Sequence, residues 1–195
     1  DDDMAAITHG GHPGSFWKDS LMTARWTQRN ARWTWLAGVA ALLSVDQLSK
    51  SYFSTTLELG EAIKVTEWFN FVHALNPGAA FSLLADAGGW QRWFFIGVSV
   101  LVVGVVSAAC LARQAAPLDR WLGAFVVGGG GGNLVDRVQI GAVVDFLDFH
   151  WGSIHWPAFN LADVFIVCSV LVWCLASIKS PPRPSPSKTP EEFPS

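Results

Sequence analysis

Carboxylates are concentrated in one stretch of the chain, residues 128–163, which lies between two strongly apolar segments. The charged side chains in it are Asp136, Arg137, Asp145, Asp148 and Asp163. Charge beside membrane-grade apolar sequence is costly, so its presence indicates a functional role. Two carboxylates a few ångströms apart where water is scarce do not both ionise readily. One keeps a proton and the other a charge, so such a pair provides an acid and a base from one residue type.

Converged carboxylates serve three chemistries: acid–base hydrolysis, metal binding and proton-coupled transport. A serine nucleophile is not indicated, because the sequence has no G-x-S-x-G motif and no evident histidine partner. His150 and His155 flank the stretch, and we interpret them as structural. The cysteines lie in apolar runs without C-x-x-C or Cys/His spacing, so neither a zinc site nor a disulfide is predicted. They are Cys110, Cys168 and Cys174.

The composition is that of an integral membrane protein. Hydrophobic residues make up 51% of the 195 residues and charged residues only 15%, whereas soluble domains have about 25% charged residues. Tryptophan, which favours membrane–water interfaces, occurs 11 times. The length indicates one domain. Basic residues form no stripe with interleaved aromatic residues, so nucleic-acid binding is excluded as a class of function.

Four apolar runs predict four transmembrane helices, at residues 33–53, 93–112, 121–135 and 157–178. The second run is uncharged over about 20 residues, which matches the hydrocarbon core of a bilayer. The third run is followed by charge and contains five consecutive glycines, which let neighbouring membrane helices approach closely. The predicted fold class is therefore an all-α integral membrane protein.

Basic residues predict the orientation, because cytoplasmic loops of membrane proteins are enriched in Lys and Arg. Nine of the 13 Lys and Arg residues lie in the N-terminal segment, the loop 113–120 and the C-terminal tail (four, two and three, respectively). We therefore predict a cytoplasmic N-terminal segment (1–32), a single four-span membrane domain (33–178) and a disordered cytoplasmic tail (179–195). Residues 1–3 are left aside as a candidate cloning remnant.

A small extracytoplasmic β-rich element is predicted between the first and second transmembrane helices. Residues 54–89 combine β-branched and aromatic residues with Gly and Pro in short alternating pieces. Within this element, a short helical turn is predicted at 78–84 and an exposed turn at Asp86. Residues 149–158 are interpreted as a lid, and Asp148 as a solvated loop residue without a part in the chemistry.

Four carboxylates then converge at one depth, near the outer face of the membrane. Asp136 and Asp145 follow the outward-running third helix, and Asp163 begins the inward-running fourth helix. Asp46 lies about 13 residues into the first helix, roughly 20 Å from the cytoplasmic side at 1.5 Å per residue. Asp46 and Lys50 are four residues apart on that helix, so a purely structural ion pair is the competing interpretation for them.

Five short motifs resemble those of bacterial lipoprotein signal peptidases, the type II signal peptidases, which are aspartic proteases of the inner membrane. The motifs are DQLSK at 46–50, NPGAAF at 76–81, GNLVDR at 132–137, VVDF at 143–146 and FNLAD at 159–163. Each motif alone is weakly specific, but five in the family's order on a four-span pattern are highly specific. The resemblance covers residues 33–178.

The resemblance implies that the chain removes signal peptides from prolipoproteins whose cysteine carries diacylglycerol, by cleavage just before that cysteine. Asp145 and Asp163 correspond to the catalytic dyad, one as general base for water and the other as acid. Asp136 and Arg137 are expected to form a buried pair. The positions implied to bind substrate or support the dyad are Asp46, Lys50, Asn76, Asn133, Asp136, Arg137 and Asn160.

The resemblance implies no metal and no cofactor. The implied partners are lipid-modified prolipoproteins and membrane lipids, and the protein is expected to be a monomer in the bacterial inner membrane. Both termini would be cytoplasmic, with the site near the periplasmic face. From the residues alone, other functions stay open. They are a small proton-coupled transporter that uses Asp46, Lys50, Asp136 and Asp163 as a relay, a non-catalytic lipid-binding subunit, and a metalloprotease.

Overall fold

The structure is a computed structural model that describes residues 13–78, 89–112 and 115–179, with side chains described over 30–78, 89–112 and 115–178. Within these ranges it has four long helices. They are α1 (Pro13–Thr56), α2 (Trp90–Leu111), α3 (Pro117–Gln139) and α4 (Leu161–Lys179). Each helix contains or overlaps one of the four predicted spans.

The helix bounds differ from the predicted spans mainly where the helices begin. α1 begins at Pro13 rather than at residue 33, so much of the polar N-terminal segment is helical. α4 begins at Leu161 rather than at residue 157. The later start of α4 has a local cause. The Asn160 side chain accepts the backbone N–H of Asp163, and the Asp163 side chain accepts that of Asn160, which is the reciprocal arrangement of a capping box.

Two of the described helices, α2 and α4, are long and apolar enough to cross a membrane. Most side chains of these two helices are not buried inside the protein, as lipid-facing helices require. α1 and α3 are less apolar. α1 carries Asp46 and Lys50, and the end of α3 carries Asp136 and Arg137.

α3 is the central helix and packs on α1, α2 and α4. A methyl group on Gly128 would lie 2.7 Å from the Cβ atom of Leu42 in α1, which is closer than carbon atoms pack. The close helix approach expected of the glycine run is therefore present. Near the start of α3, one buried apolar cluster joins α1, α2 and α3; it consists of Trp35, Cys110, Ala124 and Val127.

An antiparallel sheet of four strands lies beyond the end of α3, in the order β1 (Ala62–Lys64), β2 (Phe69–Asn76), β3 (Val143–Trp151) and β4 (Ile154–His155). The prediction that the β-rich element lies between the first two helices was therefore half right. β1 and β2 lie there, but β3 and β4 follow α3. Residues 149–158, interpreted as a lid, contain the end of β3, a turn at Gly152 and β4.

The sheet is held against α1 by stacked aromatic rings. Phe53 of α1 stacks on Phe71 of β2, with 4.7 Å between ring centroids, and on Phe146 of β3, with 4.6 Å. Stacked pairs of this kind add roughly 1 kcal/mol beyond their buried area. β3 is thereby fixed relative to α1, which bears on the site because β3 carries Asp145. The predicted turn beyond Gly78, Asp86, residues 1–12 and the tail from residue 180 lie outside the described residues.

Candidate active site

Asp145 lies on β3 with only 2% of its surface exposed. Its Oδ1 atom accepts a hydrogen bond of 2.6 Å from Nδ2 of Asn160. Burial, followed by the nearby charge of Asp163, raises the pKa of Asp145 to about 7, although hydrogen bonds from Asn76 and Asn160 oppose the rise. A carboxyl group with such a pKa is protonated in about half of the molecules at neutral pH, so it can both donate and accept a proton there.

Asp163 lies in the first turn of α4 and has a different set of partners. Its Oδ1 atom accepts a hydrogen bond of 2.9 Å from Nδ2 of Asn133 in α3. Its Oδ2 atom accepts one of 3.3 Å from the backbone N–H of Asn160. Asn160, which is fully buried, therefore contacts both aspartates: its side-chain amide faces Asp145, and its backbone caps α4 with Asp163.

A buried ion triad supports this arrangement from α1. Lys50 Nζ lies 2.9 Å from Asp46 Oδ2 and 3.0 Å from Asp136 Oδ2. The same nitrogen donates a hydrogen bond of 2.8 Å to Asn133 Oδ1. All three charged side chains are almost completely buried, and such charges are tolerated only when they are paired and hydrogen-bonded. The ion pair considered for Asp46 and Lys50 is present, but it is part of a larger network that reaches Asp163.

The triad also positions the backbone of both elements that carry the dyad. Asp46 Oδ1 accepts the N–H of Ala162, the residue before Asp163, at 2.9 Å. Asp136 Oδ2 accepts the N–H of Val144, the residue before Asp145, at 3.1 Å. For each aspartate of the predicted dyad, a carboxylate of the triad therefore holds the backbone N–H of the preceding residue.

Two further residues of this network had no role in the sequence prediction. Gln47 Nε2 donates to Asp136 Oδ1 at 2.8 Å and to the carbonyl oxygen of Gly132 at 3.2 Å. Gly132 has no side chain where the carboxylate of Asp46 lies, and a methyl group there would overlap that carboxylate. Both residues lie inside the quoted motifs, next to Asp46 and Asn133, but only the folded arrangement reveals their contacts.

The expected pair of Asp136 with Arg137 was wrong. Neighbouring residues in a helix point in different directions, so their side chains do not face each other. Asp136 points to Lys50. The Arg137 side chain instead donates to the carbonyl oxygen of Asn133 at 3.3 Å and lies over the ring of Phe95, with 5.2 Å between its Cζ atom and the ring centroid.

The interpretation of Asp148 as a solvated loop residue was also wrong. Asp148 lies on β3 and is 5% exposed. It accepts hydrogen bonds from Asn70 of β2 at 2.9 Å and from Nδ1 of His155 at 2.9 Å. Burial acts to raise the pKa of Asp148, but the contacts with His155 and Asn70 outweigh it, so the pKa lies below its ordinary value. His155 is structural here, as predicted, and His150 stacks on it.

Asn76 lies at the end of β2. Its Oδ1 atom accepts the N–H of Gly78 at 2.9 Å, and its side chain also hydrogen-bonds Asp145. The residues predicted as dyad and support are thus in one hydrogen-bonded network. Arg137 joins this network through its hydrogen bond to the backbone carbonyl oxygen of Asn133. Over the described ranges, no group of three or more His, Cys, Asp or Glu side chains is arranged to hold a metal ion.

The fold is that of known bacterial membrane enzymes. One such enzyme, solved by the in meso method at 1.9 Å resolution, matches with a TM-score of 0.66 and 24% identity over 76% of this chain and 94% of its own. A second, solved at 2.3 Å, matches with a TM-score of 0.65 over 75% of this chain and 88% of its own.

Sequence comparison identifies the family. The family model described as signal peptidase (SPase) II matches residues 38–179. The lipoprotein signal peptidase of Shewanella amazonensis is 44% identical over 161 residues, which are 82% of this chain and 94% of the relative. That of Tolumonas auensis is 45% identical over 147 residues, which are 74% and 88% of the two chains. The chain therefore belongs to the signal peptidase II family, and the resemblance seen in its motifs is confirmed.

Proposed function

We propose that this protein is an aspartic endopeptidase of the membrane that removes the signal peptide from diacylglyceryl-modified prolipoproteins, just N-terminal to the modified cysteine. Asp145 and Asp163 are the catalytic dyad. The observation that carries the proposal is the shared contact of both aspartates with one buried residue, Asn160. The relatives, named as lipoprotein signal peptidases, support the choice of substrate.

The dyad acts without a metal or another cofactor. One aspartate, ionised, takes a proton from water as its oxygen attacks the scissile carbonyl carbon, and the other, protonated, donates to the carbonyl oxygen. Asp145 is almost completely buried and Asp163 is half-buried, and their partial shielding from bulk solvent strengthens each of these interactions. Asn76, Asn133 and Asn160 hold the two carboxyl groups, and the triad on α1 and α3 holds the backbone next to them.

All four described helices span the inner membrane in this proposal, with both termini cytoplasmic and the dyad near the periplasmic face. The distribution of Lys and Arg supports this orientation. The contact of Asp46 with Ala162 supports a common depth for the carboxylates of α1 and the start of α4. A lipid-modified substrate is itself membrane-embedded, and its scissile bond lies where its acyl chains begin.

The sheet provides an apolar surface around the end of β3 that lies away from Asp145. A shallow recess of about 400 Å³ is lined by Trp68, Phe149, His150, Trp151, Ile154 and Trp156. Indole rings favour the region where acyl chains meet polar headgroups. We assign this surface to lipid, either from the bilayer or from the substrate. The protein works as a monomer.

The test is a cleavage assay on purified protein with two substrates, a diacylated prolipoprotein and the same prolipoprotein without lipid. We expect cleavage of the diacylated form only, immediately before the modified cysteine, and unchanged cleavage after exhaustive chelation of metals. Cleavage of both forms would contradict the lipid requirement. Proton flux in liposomes without cleavage of either would favour a transporter instead.

A further inference from the structure

We propose that Lys50, acting through Asn133, fixes Asp163 as the ionised base of the dyad and leaves Asp145 as its protonated acid. Lys50 is then a positioning residue rather than a catalytic one. This inference rests on the peptidase function proposed above and deepens it, because it assigns different roles to two aspartates that have so far been interchangeable.

The side-chain amide of Asn133 has one favoured orientation between Lys50 and Asp163. An asparagine side chain has an oxygen that accepts and a nitrogen that donates, and the two point to opposite sides. Lys50 has only donors, so the Asn133 oxygen must face it, at 2.8 Å. The Asn133 nitrogen must then face Asp163, at 2.9 Å. Lys50 thus makes Asn133 an obligatory donor to Asp163, and a donor stabilises the ionised form of a carboxyl group.

The other surroundings of Asp163 act in the same direction. Asp163 lies in the first turn of α4, where the partial positive charge of the helix end favours an anion. It also accepts the backbone N–H of Asn160 as part of the capping box. The guanidinium of Arg137 also interacts electrostatically with Asp163, as it does with Asp145 and Asp136.

The surroundings of Asp145 stabilise a negative charge less than those of Asp163. It lies on a strand, without a helix end behind it, and is almost completely buried. Its hydrogen bonds come from the neutral side chains of Asn160 and Asn76, and the charge of Lys50 contributes least among its interactions. The charge of Asp163 disfavours a second charge on Asp145, so with Asp163 ionised the proton of the pair stays on Asp145.

The charged groups that interact with the pair come from two helices. α1 provides Asp46 and Lys50, and α3 provides Asp136 and Arg137. Asn76 of β2 and Asn160, the residue before α4, contribute neutral amides. Asp46 and Lys50 offset each other, and Asp136 is already bound by Lys50, Gln47 and the backbone of Val144. The two dyad carboxyl groups therefore differ mainly in the hydrogen bonds that run from Lys50 through Asn133 to Asp163, and not in the net charge around them.

With these roles, the two aspartates complete one cycle of peptide-bond hydrolysis. Asp163 takes a proton from water, the water oxygen bonds to the scissile carbonyl carbon, and Asp145 gives its proton to the carbonyl oxygen. The resulting geminal diol collapses when Asp163 protonates the amide nitrogen and the C–N bond breaks. One hydroxyl proton of the diol returns to Asp145, so both residues end in their starting states.

A charge-balanced double variant tests the donor chain. Lys50→Met together with Asp46→Asn keeps the net charge of the triad but removes the donor to Asn133, whose amide is then free to rotate. We expect the acid limb of the kcat/KM profile to move to higher pH by about one unit, because one hydrogen bond to a charged group is lost. The alkaline limb should move less. Gln47→Leu is the matched control, since Gln47 contacts the same triad without touching Asn133; its melting temperature should fall while its acid limb stays in place.

An unmoved acid limb in the double variant would overturn the proposal, and a shift confined to the alkaline limb would reverse the two roles. Infrared spectroscopy provides a measurement independent of cleavage. The C=O band of the remaining protonated dyad carboxyl should persist to higher pH in Asp163→Asn than in Asp145→Asn, because burial, the largest cause of the raised pKa of Asp145, is unchanged when Asp163 is neutralised. The opposite result would overturn the assignment. Because this band requires no peptidase activity, it distinguishes failure of this inference from failure of the proposed function.

Discussion

Two aspartates of β3, Asp145 near its start and Asp148 near its middle, are both buried but have different partners. Asp145 and Asp148 are 2% and 5% exposed and stand three residues apart, so they point to opposite faces of the strand. Asp145 faces Asn160 and the charge of Asp163, and its pKa rises to about 7. Asp148 faces Asn70 and His155, and its pKa falls below its ordinary value.

Burial alone therefore does not decide what a carboxylate does. Burial acts to raise the pKa at both positions, and the partners determine the outcome. A second carboxylate adds to the rise at Asp145 and leaves a proton available for chemistry. A histidine and an amide reverse it at Asp148, and that carboxylate joins β2, β3 and β4. In the proposed mechanism, β3 thus combines a reactive end at Asp145 with a structural part at Asp148.

The same substitution at Asp145 and at Asp148 should have very different effects on cleavage. Asp145→Asn should lower prolipoprotein cleavage by at least about 10³-fold, as loss of an acid or base requires, while the protein still accumulates in the membrane. Asp163→Asn should behave like Asp145→Asn. Asp148→Asn should retain most of its activity because it does not contact the dyad. A cleavage assay on the three purified variants measures this. Normal processing by Asp145→Asn or Asp163→Asn would remove the dyad assignment.

The reactive end of β3, at Asp145, also depends on the close approach of α1 and α3. The structural part, at Asp148, does not. Gly132→Ala would push a methyl group into the carboxylate of Asp46, which holds Ala162 next to Asp163. We expect a loss of about 1–3 kcal/mol in the free energy of unfolding, together with reduced cleavage.

Gly104→Ala on α2 is the control for this substitution, because a methyl group at Gly104 would meet no atom within 4 Å. It should be neutral or stabilising by about 0.5–1 kcal/mol, since alanine is the better helix former. Thermal denaturation in detergent measures both variants. Equal losses would show that the overlap with Asp46 is absorbed elsewhere.

The pH dependence of the free energy of unfolding should have opposite signs at Asp148 and Asp145. Asp148 has a folded pKa below 3.8, so its contribution is present above about pH 4 and is lost as the pH falls. Asp148→Asn should therefore be less stable than the parent protein at pH 7, by about 1 kcal/mol, and equal to it in acid.

Asp145 has a folded pKa raised from 3.8 to about 7, so its contribution is present in acid and is lost as the pH rises through that interval. Asp145→Asn should gain stability relative to the parent over the same interval. Melting temperatures of parent and variants across this pH range test the contrast. Parallel curves for the two variants would mean that the two carboxyl groups titrate alike.

Much of the helical architecture could be predicted from the sequence because apolar length and charge are local properties. The run at 93–112 became α2 at Trp90–Leu111 with little change. The strands were harder. β2 and β3 pair residues such as Asn76 and Val143, which are far apart in the chain, and no local pattern encodes that partner. Residues 149–158 were therefore interpreted as a lid, although the segment after α3 supplies half of the sheet.

The site, like the fold, could be predicted from the sequence only in part. Motifs identified the residue types, and the structure brings the predicted dyad and its supporting asparagines into one network. The wrong pairing of Asp136 with Arg137 came from treating neighbours in sequence as neighbours in space. The misjudged exposure of Asp148 came from the missing strand, because Asn70 becomes its partner only when β2 and β3 pair.

The ion pair within α1 has a consequence for biogenesis. Asp46 and Lys50 are four residues apart, so α1 satisfies their charges by itself as soon as it is helical. A single Asp or Lys at the centre of a membrane helix opposes insertion by roughly 3 kcal/mol, and a self-neutralised pair reduces that penalty. Asp136 has no such partner on α3 and depends on Lys50. We expect α1 to enter the bilayer on its own during synthesis and to serve as the docking surface for the later helix. The inserted fraction of α1 and of α3, each expressed without the other, is the quantity that reports this order.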